Sequence, residues 1–194
     1  MELTSTGNER ITGIVLAGGK SSRMGTDKAL LLYKGMPLVT HAVSLLSQVC
    51  SKVIISANKT EYAFTGCEVF PDEFSINASM AGIWTALLHS ITEWNLVLSC
   101  DMPLIDPGFM RSMLDRKAGY DVVVPVHEDG SLEPLCALYN KRVIDGLNRC
   151  LSEGQYSMRD FIMQSTYTLI HTGSSRPMFL NVNTEQDFIL LNKS

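Results

Sequence analysis

A short glycine-rich and cationic segment is the part of this sequence best suited to chemistry. It runs from Leu16 to Lys28, with the sequence LAGGKSSRMGTDK, and follows the apolar run Ile11–Leu16. Its glycines and cations are Gly18, Gly19, Gly25, Lys20, Arg23 and Lys28. Glycine lets the backbone bend sharply and approach another molecule closely. A donor-rich, positive loop at the end of a strand predicts a phosphate-binding site.

The positive charge of the chain is concentrated around this segment. Residues 14–34 hold four cations and one carboxylate, a local net charge of +3, whereas the whole 194-residue chain carries −4. Binding to a nucleic-acid backbone requires a broad basic face, which this distribution does not provide. The charge pattern therefore favours a small polyphosphate ligand, and we expect no nucleic-acid partner.

Two common phosphate-binding motifs do not fit the segment. The run Gly19-Lys-Ser21 matches the end of a Walker A element, but the leading glycine of that element would fall on Ile14. The G-x-G-x-x-G fingerprint of dinucleotide-binding proteins cannot be aligned with the segment either. The remaining pattern, L-A-G-G-x-S-x-R-M-G-x-D-K, resembles that of nucleotidyltransferases that use NTP, most closely the molybdenum cofactor guanylyltransferases. An ordinary surface loop rich in glycine and serine is the alternative interpretation.

The resemblance extends from Ile11 to Phe188 and implies a specific reaction. The terminal phosphate of molybdopterin, or of its molybdenum-loaded form, would attack the α-phosphorus of GTP and release pyrophosphate. The resemblance also implies roles within the glycine-rich segment. Lys28 would stabilise the α-phosphate, and Arg23 would hold the departing pyrophosphate. The remaining expected contacts are the backbone amides of Gly18 and Gly19 to pyrophosphate, and Leu16 and Ala17 to the base.

Asp101 is the candidate metal ligand. It follows the apolar run Leu96–Leu98 and therefore emerges at the carboxyl end of a predicted strand. Helix capping does not explain it, because Asp106 already stands before the next helix. A hard divalent cation binds one or two carboxylates together with phosphate oxygens and water. In the family that the chain resembles, the aspartate of this D-x-P motif binds Mg²⁺, so the resemblance implies Mg²⁺ as cofactor and Asp101 as a catalytic residue.

Asp72 and Gly82 are the candidates for the nucleotide side of the site. Asp72 follows the predicted strand 68–70 and aligns with an aspartate that contacts nucleotide in the family, although aspartate is also common in turns. Family members usually carry a G-P-L-x-G element next, which appears here as ASMAG, residues 78–82. Gly82 is retained while the first glycine and the proline are absent. This departure leaves the base selectivity open.

The acceptor side is expected near the end of the chain. The run Asn181-Val-Asn183-Thr184 resembles an N-x-N-T element of the family, and two asparagines separated by one residue point to the same side of an extended chain. A helix cap at Thr184 preceded by a turn residue is the alternative. Arg159 is expected to face the pterin phosphate. The strand around Tyr139 also resembles a family element, but ordinary sheet packing explains its alternation.

Alternating strands and helices must position these residues. Strands are predicted at 11–16, 52–56, 68–70, 94–99, 121–126 and 135–139. Helices are predicted at 37–49, at 80–91, from Asp106-Pro107, at about 141–151, from Ser157 and from Thr184. This alternation predicts an α/β fold with a Rossmann-like, mostly parallel sheet flanked by helices. In such sheets, ligands bind beyond the carboxyl ends of the strands.

The composition limits the remaining possibilities. We expect one nucleotidyltransferase domain over residues 1–194, with residues 1–9 flexible. The sequence has no apolar run long enough to span a membrane and no hydrophobic signal segment, which predicts a cytoplasmic protein. Five cysteines without a C-x-x-C motif predict reduced, mostly buried thiols. The four histidines lack metal-ligand spacing and are assigned no chemistry.

Alternative functions remain open at this level. A CTP-dependent molybdopterin cytidylyltransferase, a sugar-phosphate nucleotidyltransferase and a non-catalytic nucleotide-binding adaptor of the same pathway would share the fold. The pair Gly18-Gly19 favours the guanylyl branch, since cytidylyl relatives tend to carry Ala-Ala-Gly there. The resemblance implies GTP and molybdopterin as substrates. It also implies transient contact with molybdoenzyme chaperones or other cofactor-biosynthesis proteins.

Overall fold

A seven-stranded sheet forms the centre of the computed structural model, which describes residues 10–18, 27–58, 60–76, 78–173, 176–182, 187–188 and 191. The strands are β1 Ile11–Leu16, β2 Leu32–Tyr33, β3 Met36–Pro37, β4 Lys52–Ser56, β5 Glu68–Phe70, β6 Trp94–Ser99, β7 Val122–Val126, β8 Cys136–Asn140 and β9 Tyr167–His171. The large sheet has the order β5-β4-β1-β6-β8-β7-β9. β2 and β3 form a separate hairpin.

The sheet is mostly parallel, as predicted. β5, β4, β1 and β6 are parallel neighbours, and β9 is parallel to β7. β8 runs antiparallel to both β6 and β7. All residues of β1 and β6 are buried, which is typical of parallel strands covered on both faces.

Five α-helices have both ends within the described residues. They are α1 Leu38–Ser47, α2 Ser79–His89, α3 Pro107–Leu114, α4 Ile144–Ser152 and α5 Met158–Met163. Apolar residues of α1 and α3 join one hydrophobic cluster, and those of α2, α4 and α5 join a second. β1 contributes Val15 to the first cluster and Ile14 to the second, so the two clusters lie on opposite faces of the sheet.

Several predicted element bounds differ from the structure. Pro37 belongs to β3 and not to the following helix, and α2 ends at His89, two residues before the predicted end. The predicted helix from Lys141 begins with a 3-10 turn, Lys141–Val143. The strand β9 and the β2–β3 hairpin were not predicted. The hairpin turns at Lys34 and Gly35, which both have positive φ, as two-residue turns of this kind require.

Other predictions concern the termini and the thiols. Residues 1–9 and Thr184 lie outside the described residues, and residues 187, 188 and 191 are helical. All five cysteines are free; Cys67 is partly exposed and the other four are buried. Within the residues that the structure describes, no helix is both long enough and apolar enough to cross a membrane.

Candidate functional site

The carboxyl ends of four parallel strands meet at one edge of the sheet. After β1, the amide of Ala17 donates to the carbonyl of Ser56 at the end of β4, at 3.0 Å. After β6, the amide of Cys100 donates to the carbonyl of Leu16, at 3.1 Å. These bonds extend the parallel pairing beyond the strands proper. Residues that follow β1, β4 and β6 are therefore held side by side.

Lys28 and Asp101 meet at this edge. Lys28 Nζ donates to Asp101 Oδ2 at 3.0 Å, although the two residues are 73 positions apart. Their side chains are 21% and 16% exposed, so the pair is mostly shielded but reachable from solvent. The structure thus brings together the cation and the carboxylate that the sequence singled out separately.

The other oxygen of Asp101 fits a metal ligand. Oδ1 is buried and has no hydrogen-bond partner among the described residues. Leaving a buried carboxylate oxygen unsatisfied is costly, so such an atom in a native site indicates that an ion or a water molecule binds there. The described residues contain no group of three or more His, Cys, Asp or Glu side chains arranged around a metal. A single carboxylate oxygen together with phosphate oxygens and water is a ligand set that suits Mg²⁺.

Asp72 occupies the neighbouring part of the same edge, after β5. Its Oδ1 accepts from the hydroxyl of Ser56 at 3.1 Å, and its Oδ2 accepts from Asn58 Nδ2 at 3.1 Å. The Asp72 amide in turn donates to Asn58 Oδ1 at 2.9 Å. Partial burial raises the pKa of the Asp72 carboxyl, and the two hydrogen bonds oppose that rise. Ser56 and Asn58 were not predicted, because neither belongs to a recognisable motif.

Gly82 packs tightly against this carboxylate. A Cβ atom at Gly82 would lie 2.9 Å from Ser56 Oγ, 3.4 Å from Asp72 Oδ1 and 3.5 Å from Leu16 Cδ2. α2 therefore approaches the ends of β1 and β4 as closely as only glycine allows. Gly82 is buried, so the structure supports a role in fitting α2 to the site.

Gly18 and Asn181 are two more predicted site residues that the structure describes. A Cβ atom at Gly18 would meet nothing within 4 Å, so this glycine faces open space beyond β1. Asn181 lies close to Asp101 in the fold, because the amide of the next residue, Val182, donates to the carbonyl of Asp101 at 2.9 Å. The predictions for Gly19, Arg23 and Asn183 fall outside the described residues.

Two further acceptor-side candidates, Arg159 and Tyr139, donate hydrogen bonds to backbone carbonyls. Arg159 is exposed, and its Nη1 donates to the carbonyl of Gly130 at 3.3 Å. Tyr139 is fully buried, and its hydroxyl donates to the carbonyl of Pro134 at 2.8 Å. Tyr139 therefore has a structural role, in agreement with the packing interpretation.

Comparison with known proteins agrees with this geometry. The chain matches the family described as "MobA-like NTP transferase domain" over residues 13–168. It is 35% identical to a protein of Carboxydothermus hydrogenoformans named "Probable molybdenum cofactor guanylyltransferase", over 93% of this chain and 94% of that one. It is 30% identical to the "Molybdenum cofactor guanylyltransferase" of Vibrio parahaemolyticus, covering 90% of this chain and 91% of the relative.

A solved structure shows the same fold. The protein from Archaeoglobus fulgidus described as "Molybdopterin-guanine dinucleotide biosynthesis protein A" superposes with a TM-score of 0.79 at 24% identity, covering 94% of this chain and 97% of that one. Nucleotidyltransferases of this type generally use a divalent metal, which agrees with the unsatisfied oxygen of Asp101. On the sequence match and the fold together, the chain belongs to the MobA-like NTP transferase family and is a nucleotidyltransferase.

Proposed function

We propose that this protein transfers GMP from GTP to molybdopterin, or to its molybdenum-loaded form, and releases pyrophosphate. The observation that carries the proposal is the meeting of Lys28 and Asp101 at the carboxyl edge of β1 and β6, with one Asp101 oxygen buried and unsatisfied. The names of the relatives in Carboxydothermus hydrogenoformans and Vibrio parahaemolyticus support the choice of base and acceptor.

The reaction needs positioning more than covalent chemistry from the protein. An oxygen of the acceptor phosphate forms a bond to the α-phosphorus while the bond from that phosphorus to pyrophosphate breaks. Negative charge develops on the leaving pyrophosphate, so fixed positive groups accelerate the step. Lys28 is proposed to donate to a non-bridging oxygen of the α-phosphate, and its place beside Asp101 supports this role.

Asp101 would hold the metal ion of this reaction, proposed to be Mg²⁺, through Oδ1. When bound, this ion neutralises charge on the phosphate oxygens. Asp101 Oδ2 keeps its hydrogen bond from Lys28, at 3.0 Å, which fixes the direction of the carboxylate. The backbone bond from Val182 to the Asp101 carbonyl keeps the following asparagine segment beside the same carboxylate.

The remaining residues of the proposed site contact the rest of the two substrates. Asp72 is proposed to contact the nucleotide, with Leu16, Ala17 and Gly82 shaping the surface around it. The other proposed contacts are Gly18, Gly19 and Arg23 to the triphosphate, and Asn181 and Asn183 to the acceptor. The residues 1–194 are proposed to form one domain. The free thiols support the cytoplasm as its location.

Release of pyrophosphate from a panel of nucleotides tests the proposal. The protein is incubated with Mg²⁺, molybdopterin and each NTP in turn, and the dinucleotide product is identified by mass spectrometry. We expect GTP to react, and EDTA to abolish the reaction. Preference for CTP would replace the proposal with a cytidylyltransferase. Reaction with a sugar phosphate in place of molybdopterin would point to that other class of acceptor.

The adaptor alternative has its own signature in the same assay. A non-catalytic nucleotide-binding protein would bind GTP without releasing pyrophosphate under any combination of substrates. Binding of GTP is measured in parallel by the shift in melting temperature. A shift without turnover would therefore contradict the enzymatic proposal. Contact with molybdoenzyme chaperones or other cofactor-biosynthesis proteins stays a prediction.

A further inference from the structure

A buried tyrosine contacts Asp27, the residue that precedes Lys28. Tyr62 belongs to the 3-10 helix Thr60–Thr65, which follows β4, and is 1% exposed. Its ring packs in the hydrophobic cluster that α1 forms with β1 and β4. Its hydroxyl points out of this cluster and donates to Asp27 Oδ2 at 2.7 Å. The same hydroxyl lies 3.4 Å from the carbonyl oxygen of Ala17.

The contact with Asp27 is the stronger of the two. A phenol has one proton to donate, and a carboxylate at 2.7 Å is a better acceptor than a carbonyl at 3.4 Å. Burial raises the pKa of the Tyr62 hydroxyl, and the nearby Asp27 carboxylate raises it further. The hydroxyl therefore keeps its proton throughout the neutral range and remains a donor.

Asp27 connects Tyr62 to Lys28. Asp27 caps the 3-10 turn Lys28–Leu30, and its Oδ1 accepts from the amide of Ala29 at 3.1 Å. Because one oxygen holds the turn and the other holds the phenol, the carboxylate cannot rotate without losing a hydrogen bond. Lys28 is the first residue of this turn, so the start of its side chain is fixed relative to the core.

Anchoring of Asp27 would affect the reaction by fixing the position of the Lys28 side chain. A misplacement of about 1 Å in a catalytic group can reduce turnover by roughly a hundredfold. The Tyr62 hydroxyl donates to Asp27 just before the turn and lies against the carbonyl of Ala17 at the end of β1, so it contacts both described ends of the glycine-rich segment. From this anchored backbone, the Lys28 side chain extends to Asp101, where Nζ donates to Oδ2.

We propose that Tyr62 is a positioning residue for nucleotidyl transfer, acting through Asp27 to place the Lys28 ammonium group at the reacting phosphate. This inference rests on the proposed function. Tyr62 is deeply buried, so it touches no substrate itself. Nothing in the motif from Leu16 to Lys28 points to it, since it lies on a separate element after β4.

Removing the single hydroxyl group tests the proposal. In Tyr62→Phe, the ring stays in the cluster, while the hydrogen bond to Asp27 and the longer contact with the Ala17 carbonyl are lost. Tyr139→Phe is the matched control, because Tyr139 is also fully buried and also donates one hydrogen bond, to the Pro134 carbonyl. For Tyr62→Phe we expect a fall in kcat of about tenfold or more with the KM for GTP within about twofold of wild type. For Tyr139→Phe we expect an unchanged kcat at a comparable loss of melting temperature.

A double-mutant cycle with Asp27→Asn tests the route through Asp27. If Tyr62 acts through this carboxylate, the two substitutions together lower kcat no further than Asp27→Asn alone. Losses that multiply, or a Tyr62→Phe protein that keeps its kcat, would overturn the positioning role. If wild-type protein releases no pyrophosphate from any NTP, the proposed function fails. If wild type is active and Tyr62→Phe matches it, only the present inference fails.

Discussion

The pairing of Lys28 with Asp101 makes the most informative prediction for this protein. Replacing Lys28 by methionine keeps most of the apolar stem and removes the charge. Two unit charges 3.0 Å apart attract by about 5.5 kcal/mol at an effective dielectric constant of about 20. The cost of desolvating both groups offsets most of this attraction. We therefore expect a net coupling of about 1–2 kcal/mol in the free energy of unfolding.

Activity and stability should respond differently when Asp101→Asn is added to Lys28→Met. Loss of one charge-stabilising donor commonly lowers kcat by roughly 10²- to 10³-fold, equivalent to about 3–4 kcal/mol. Lys28→Met also leaves the Asp101 carboxylate, which is mostly shielded, without its cation. Adding Asp101→Asn removes that unpaired charge, so stability should recover. Activity should stay low, because neither the ammonium group nor the metal-binding carboxylate is present.

The assays are urea unfolding and steady-state release of pyrophosphate on all four members of the cycle. Lys52→Met is the control for charge removal, since Lys52 pairs with Glu68 on the surface, where both side chains are well exposed. We expect that control to change stability by less than about 1 kcal/mol and to leave kcat unchanged. A Lys28→Met protein with turnover within about threefold of wild type would refute the role of Lys28 in charge stabilisation.

Three further predictions concern the neighbouring residues. In Gly82→Ala, the new Cβ would lie 2.9 Å from Ser56 Oγ, so crowding of about 1–3 kcal/mol should outweigh a gain in helix propensity of about 1 kcal/mol. We expect lower stability in urea together with a raised KM for GTP, and an unchanged KM would argue against a nucleotide contact at Asp72. Burial raises the pKa of the Asp72 carboxyl, so the native state binds its proton more tightly than the unfolded chain does, and this group costs stability once the pH exceeds its raised value. The melting temperature of wild type should therefore fall relative to that of Asp72→Asn as the pH rises from about 4 to about 7, and a difference between the two proteins that stays constant over this range would contradict this reasoning. Burial also raises the pKa of Cys50 to about 12 and raises those of Cys100 and Cys136. Iodoacetamide should consequently alkylate the partly exposed Cys67 first in the native protein, as peptide mass spectrometry would show, and early labelling of Cys50 would be inconsistent with its burial.

The sequence predicts the central strands well because their signal is strong. β1, β4, β5 and β6 have the predicted bounds, and the two longest, β1 and β6, are mostly apolar and are buried on both faces. The start of α3 was also predicted, and the Asp106 side chain accepts from the amide of Phe109 at 2.9 Å. Local signals of this kind do not depend on the rest of the fold.

The edge strand β9 and the separate β2–β3 hairpin have sequence patterns that predict strands only weakly. β9 is an edge strand, and four of its five residues are not fully buried, so its sequence lacks a clear apolar run. The β2–β3 hairpin has only two residues in each strand, too few for alternation to be recognised. Both depend on packing against elements that are distant in the sequence.

The sequence by itself determined which residue types are available for phosphate chemistry, namely the cationic glycine-rich segment and the carboxylates that follow apolar strands. Three contacts were decided by the tertiary structure alone. Lys28 donates to Asp101, and Tyr62 donates to Asp27. Gly82 packs closely against Asp72. The physical reason is that a motif is local, whereas these contacts depend on β4, β1 and β6 lying side by side. That strand order results from the packing of the whole chain, so no single segment can specify it.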